Sequence, residues 1–205
     1  MKRLATLITC GVLVVVACGC GAGIGEHIVG SGTVATEEFA VEGFTGLRAC
    51  CDFMVIVSGG TGYSVSVTAD DNVLDYVIVK RQGDELRLEL DQYFGETFEP
   101  TVLRANVTMP RLQSVVLSGG AYLTLWQAAP EGTDLVLTAG GGSAAKLAGI
   151  PFQRAQVTLR EKSFADVQVT GHLTYTLRGG SILQYEGDPL LGDTSVSGGA
   201  LAVPR

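Results

Sequence analysis

The sequence predicts an all-β fold whose second half is a stack of coils of about 20 residues, with further strands and a hairpin in the first half. Three observations carry this. Gly makes up 28 of 205 residues, about twice ordinary usage, with no collagen period. Short segments alternate apolar and polar residues, as half-buried strands do. Finally, an alternating segment broken by glycine, LQSVVLSGGAYLTL (112–125), recurs as LVLTAGGGSAAKL (135–147), YTLRGGSILQYEG (175–187) and TSVSGGALAV (194–203).

The first 17 residues, MKRLATLITCGVLVVVA, read as a secretion signal. Lys2 and Arg3 precede an apolar run that is too short to span a bilayer, which takes about 20 residues. The run ends in VVAC (15–18), similar to a bacterial lipobox with Cys18 as the acylated residue. Ordinary cleavage near Ala17 is the alternative. Residues 18–30 read as a flexible tether and 31–205 as one domain, divided into an N-terminal β part (31–110) and repeated coils (111–205). The expected location is therefore exported, on the cell membrane or outer surface, with the membrane reached through the N-terminal lipid.

The formal charge is −7, moving to −9 once Lys2 and Arg3 leave. An acidic surface with no basic stripe argues against nucleic acid as a partner. Of the five cysteines, Cys10 leaves with the signal, and no metal-binding spacing exists among the rest. Within LRACCDFMVIV (47–57), read as one strand, Leu47, Ala49, Cys51, Phe53, Val55 and Val57 share a face. Cys51 then reads as a small core residue and Cys50 points outward. A vicinal Cys50–Cys51 disulfide and a Cys20–Cys50 bridge stay open.

Strands are expected at 33–41, 46–58, 63–69, 76–82, 85–91 and 104–110, with a hairpin turning at Gly83-Asp84. The only helical signal is a short turn at ADDNVLDYV (69–77), capped by Asp70 or Asp71. In the second half, Leu117, Leu137, Leu159, Leu177 and Val196 mark the last apolar position before each break, at spacings of 20, 22, 18 and 19. LTAGGGS is two residues longer than LSGGA, and after that allowance three rows align. They are Ala121, Ser143, Ser163, Ser181 and Ala200; then Leu123, Ala145, Ala165, Leu183 and Ala202; then Leu125, Leu147, Val167 and Tyr185. Each unit is too small to bury its apolar face alone, so stacked strands build one core. The glycines turn corners closed to residues with a Cβ. Glu161-Lys162 replaces the glycines in one coil, which turns differently or carries its charges outward. On the alternate parity, Tyr122, Ala144, Phe164, Ile182 and Leu201 form a mostly apolar row. Either the N-terminal half or a loop packs over it, or Tyr122, Phe164, Ile182 and Leu201 form an exposed stripe that docks a partner. Pro204 blunts the last edge.

Taken in order, GSGTVATEEFAVEGFTGLRACCDFMVIVSGG, YSVSVTADDNVLDYVIVKRQGDELRLEL and ANVTMPRLQSVVLSGGAYLTL resemble the "putative auto-transporter adhesin" family, or head GIN domain, over residues 30–203. The resemblance implies a right-handed parallel β-helix-like domain, commonly exported and often lipid-anchored, with no known catalytic residues, no cofactor and no established ligand.

Catalytic signals are poor. His27 and His172 are the only histidines, one placed in the tether and one in a corner. Ser118 and Ser197 sit beside glycines, but no helix follows to make a nucleophile elbow. Asp70-Asp71-Asn72 reads as a turn rather than a Ca²⁺ or acid–base site. Tyr93, Phe94 and Phe98 with Glu96 and Glu99 either cap the core or form a sugar platform. Arg154, Arg160, Lys162 and Arg178 supply bases without a matching acidic cluster. The sequence points to a non-enzymatic, lipid-anchored envelope protein presenting a surface for adhesion or protein interaction, with no metal site. The alternative is a glycan-binding or lyase-like protein, which a groove with convergent carboxylates and a base favours.

Overall fold

The computed structural model describes residues 25–92 and 95–205. Cys10, Cys18, Cys20, Tyr93 and Phe94 lie outside the described residues, as do the expected signal and most of the tether. Strand dominates: β1 (His27–Val29), β2 (Val34–Phe39), β3 (Gly46–Ala49), β4 (Met54–Gly59), β5 (Ser64–Asp70), β6 (Val77–Gln82), β7 (Glu85–Leu90), β8 (Thr97–Glu99) and β9 (Leu103–Met109) come first. They are followed by β10 (Ser114–Leu117), β11 (Tyr122–Leu125), β12 (Asp134–Ala139), β13 (Ala144–Leu159), β14 (Phe164–Leu177), β15 (Ile182–Glu186), β16 (Leu190–Val196) and β17 (Leu201–Pro204). The expected helical turn is α1 (Asp71–Leu74). Residues 27–29, assigned above to the tether, instead pair with β8 in a small parallel sheet.

All other strands join one 15-stranded sheet that wraps into a nearly closed, barrel-like shape. Its parallel pairings arrange the chain in layers. On one side the neighbours run β7, β3, β10, β12, the second half of β13, the second half of β14, then β16. On the other they run β9, β4, β11, the first half of β13, the first half of β14, β15, then β17. The layer order is not the chain order, because residues 85–109 stack outside residues 46–59. Beyond them β6 pairs antiparallel with β7, turning at Gly83 as the hairpin reading expects. Strand β5 adds antiparallel to β9, and β2 adds antiparallel to β5.

The row from Leu123 through Ala145, Ala165 and Leu183 to Ala202 stands as read, and so does the alternate row from Tyr122 through Ala144, Phe164 and Ile182 to Leu201. The row before the break needs one correction. Leu137 pairs with Val115, and the partner of Leu117 is Ala139. The coil offsets are therefore 22, 20, 18 and 19 on both sides of the corner. The two extra residues fall before β12 rather than in the corner, where AGGGS matches LSGGA residue for residue.

Parity decides burial. Leu123, Ala145, Ala165 and Leu183 are fully enclosed, as are Leu47, Val55, Val57 and Leu159. Each Leu or Val enclosed this way contributes on the order of 1.5–3 kcal/mol of transfer free energy. Ser143, Ser163 and Ser181 are buried too. Their hydroxyls donate inward to carbonyls, Ser163 Oγ to Ala139 O at 2.9 Å and Ser143 Oγ to Gly140 O at 2.6 Å. A buried hydroxyl without such an acceptor costs stability, so the row is apolar in effect.

Candidate functional site

The corner repeats in every coil from β3 onward. Each has two consecutive residues at positive φ: Gly119-Gly120, Gly141-Gly142, Gly179-Gly180 and Gly198-Gly199, all between +55° and +78°. The second residue of each corner donates its N–H to the first residue's carbonyl in the next coil. The bonds run Asp52 to Gly119 (2.8 Å), Gly120 to Gly141 (2.9 Å), Gly142 to Glu161 (2.9 Å), Lys162 to Gly179 (2.8 Å) and Gly180 to Gly198 (2.8 Å). The ladder therefore continues through the corners, and the glycines of Ser118-Gly119-Gly120 serve backbone geometry, as expected.

Two corners lack glycine. Glu161 (φ +54°) and Lys162 (φ +60°) turn as the glycines do and carry their charges outward. Glu161 Oε2 accepts from the Gly141 N–H at 3.1 Å, which offsets part of the cost of the left-handed backbone. The other is Cys51 (φ +62°) and Asp52 (φ +60°), joined to Cys50 by a disulfide between adjacent residues. So 47–57 is not one strand. It is β3, a corner and β4, with the inward parity of Leu47, Ala49, Phe53, Val55 and Val57 kept across it. The sequence signal was available, since Ala49-Cys50-Cys51-Asp52-Phe53 occupies the place of Leu117-Ser118-Gly119-Gly120-Ala121. Only Asp52, a residue that tolerates this backbone, marks it as a turn.

Recognising that corner extends the apolar row by one strand. Met54 pairs with Tyr122 and, on its other side, with Arg104. The row Met54, Tyr122, Ala144, Phe164, Ile182 and Leu201 crosses six strands at a spacing of about 4.8 Å. Strands β2 to β7 and β9 extend the same sheet. Met54 is 46% exposed, Ile182 37% and Leu201 57%. Tyr122, Ala144 and Phe164 are half-buried. Lys146 Nζ stands 5.6 Å from the Tyr122 ring centroid, a cation–π contact that holds the ring against the sheet.

At the Met54 end the row opens into a groove of about 540 Å³, lined by Asp52, Met54, Phe98, Glu99, Val102 and Arg104 among others. Sequence reasoning missed this groove because its walls lie in segments 50 residues apart. Phe98 also packs on Tyr76, ring centroids 5.1 Å apart, so that part of the 93–100 loop caps the core. Glu99 Oε2 lies 3.5 Å from His27 Nε2.

The Asp70-Asp71-Asn72 group is structural. The Asp70 carboxylate is fully enclosed and does not cap α1. It accepts from Thr101 Oγ1 (2.6 Å), Thr101 N (2.8 Å), Gly32 N (2.9 Å) and Val102 N (3.4 Å). The Thr101 hydroxyl leads these bonds in holding the carboxyl down at about 2 against desolvation, which pushes it up. Asp71 Oδ1 accepts from Ser31 Oγ and Asn72 N, and Asn72 Nδ2 donates to Val29 O. Among Arg154, Arg160, Lys162 and Arg178, Arg154 is taken by a two-point pair with Asp134, at 2.8 and 2.7 Å. That pairing lowers the Asp134 carboxyl and raises the arginine. His172 lies inside β14 beside Arg154 rather than in a corner. No cluster of metal-ligating side chains occurs among the described residues, and no described helix is long and apolar enough to cross a membrane.

Fold and surface together define an all-β protein with a repeated sheet and a partly exposed apolar row. Residues 43–186 match the family model described as "putative auto-transporter adhesin, head GIN domain". The chain belongs to that family. The match is narrower than the resemblance read from sequence, leaving out β2 and the last coil. Solved structures agree in fold. A putative adhesin from Bacteroides fragilis is 13% identical, with TM-score 0.55 over 86% of this chain and 97% of that one. One from Parabacteroides distasonis is 13% identical, with TM-score 0.50 over 88% and 100%. No curated protein matches the chain.

Proposed function

We propose that this chain is a non-enzymatic, lipid-anchored protein of the cell envelope, held through Cys18, that presents its stacked sheet to a protein partner for adhesion. The family membership supports an adhesin-like role at the cell surface. In this reading the stack is a right-handed β-helix, the hand that parallel crossovers take in nearly all sheets. Residues 1–17 are then the signal, 18–26 the tether, and the rest one domain.

The observation that carries the reading is the partly exposed row from Met54 to Leu201, since contiguous exposed apolar patches mark interaction surfaces. The test is binding of the protein to cell-surface or matrix proteins, comparing the native chain with Ile182→Lys and Leu201→Lys. Both variants keep the native unfolding midpoint within about 2 °C and lose binding at least tenfold. Binding unchanged in both variants removes the row from the site.

One observation favours a second reading, glycan binding. The groove beside Met54 brings Asp52, Glu99 and Arg104 together with Phe98, an aromatic-plus-polar set that suits a sugar. A glycan array separates the two. Retention of a glycan that Arg104→Ala abolishes supports the groove, and release of unsaturated or reducing ends makes the protein an enzyme.

A further inference from the structure

The bond between Cys50 and Cys51 sits in the first corner of the stack, where the chain must place two L residues in the left-handed region. Four of the other five corners meet this demand with glycine pairs. The fifth, Glu161-Lys162, meets it with an added side-chain bond from Glu161 to the Gly141 N–H. At Cys51-Asp52 no hydrogen bond of that kind is present among the described residues, and Asp52 is a residue type that tolerates the conformation while cysteine is not. What distinguishes Cys51 is its covalent tie to the residue before it. Around that tie, Cys50 N–H donates to Leu88 O, Asp52 N–H to Gly119 O and Phe53 N–H to Cys50 O. The corner thus joins the closing layer, through Leu88, to the repeated coils, through Gly119.

We propose that the Cys50–Cys51 disulfide is a redox-set lock that does at this corner what glycine does at the others. Attack by a thiol or dithiol reductant breaks the Sγ–Sγ bond by way of a mixed disulfide. It leaves two cysteine thiols and the oxidised disulfide of the reductant, two electrons and two protons passing to the protein. With the tie gone, Cys51 bears the left-handed backbone unaided and the corner opens more often. Asp52 and Met54, on the groove wall one and three residues away, move with it. The lock therefore couples the redox state of the surroundings to one end of the apolar row. Both cysteines are partly exposed, so a reductant reaches them without unfolding the chain.

The test uses the whole chain. After digestion, the peptide holding Cys50 and Cys51 takes up alkylating agent only when the protein has first been reduced. Reduction also speeds amide exchange of Asp52 and Phe53 by about tenfold, as loss of roughly 1–2 kcal/mol of support requires, and leaves the Gly180 amide in the later corner unchanged. The double variant Cys50→Ala/Cys51→Gly exchanges at the oxidised rate and ignores reductant. Alkylation without reduction, equal exchange in the two redox states, or a variant as fast as the reduced protein each overturns the proposal.

Discussion

The repeated coils and the closing end of the stack hold together by opposite means. From residue 114 onward one corner is made five times, and the same inward row, serine row and amide ladder recur with it. At the closing end each contact is made once. Asp70 ties Gly32 to the Thr101–Val102 segment, Asn72 ties Ser31 and Val29, and a disulfide shapes the first corner. The difference teaches that repetition lets small, ordinary residues do the work, because each coil is the template for the next. An end has a neighbour on one side only and must supply specific partners in its place.

The largest expected effect sharpens the comparison inside the repeat. Leu123→Ala, on the enclosed row, lowers stability in urea unfolding by about 3 kcal/mol. Leu201→Ala, on the exposed row, lowers it by less than about 0.5 kcal/mol. A comparable loss from both makes the outer row part of the fold rather than a surface for a partner.

Next come the two halves of a corner. A Cβ at Gly141 stands 2.9 Å from the Gly119 backbone nitrogen, while at Gly142 it meets nothing within 4 Å. Gly141→Ala therefore costs about 2–3 kcal/mol, from contact and backbone together, and Gly142→Ala about 1 kcal/mol, from backbone alone. Equal losses in thermal unfolding show that conformation, not stacking distance, selects glycine in the first position.

The last comparison lies at the closing end and shows itself only in acid. The Asp70 carboxyl titrates at about 2 when folded, against 3.8 when free, so its charged form stabilises the fold. That contribution is complete above pH 4 and is lost as the pH falls through about 2. Amide exchange at Thr101 and Gly32 rises over that window before exchange in the repeated coils does, and Asp70→Asn removes the dependence. Simultaneous acid opening of both regions places the clamp elsewhere.

Repetition is also what made the fold legible. The rows through Leu123 and Tyr122 were readable because five coils repeat them, and the hairpin at Gly83 because its turn residue is standard. The corner at Cys51-Asp52 left only the faint signal of Asp52, since left-handed backbone announces itself through glycine and this corner has none. The Leu137 register failed because the extra residues of that coil lie outside the corner, where nothing in the glycine pattern reports them. The groove beside Met54 was beyond reach, because no local pattern tells which distant segment lies against β4.

The inversion of layer order has a consequence for how the chain is assembled. Residues 46–59 form the first layer to be synthesised, yet the finished stack has layers on both sides of them. Residues 85–109 fold back to seal one of their edges, and residues 114–125 then seal the other. The stack therefore grows outward in two directions from an early seed. A chain that has emerged only to residue 84 exposes two bare parallel edges at once, the state most open to pairing with a stranger. Covering that interval is a task for whatever accompanies the growing chain, and it ends when Met109 takes its place beside Gly59.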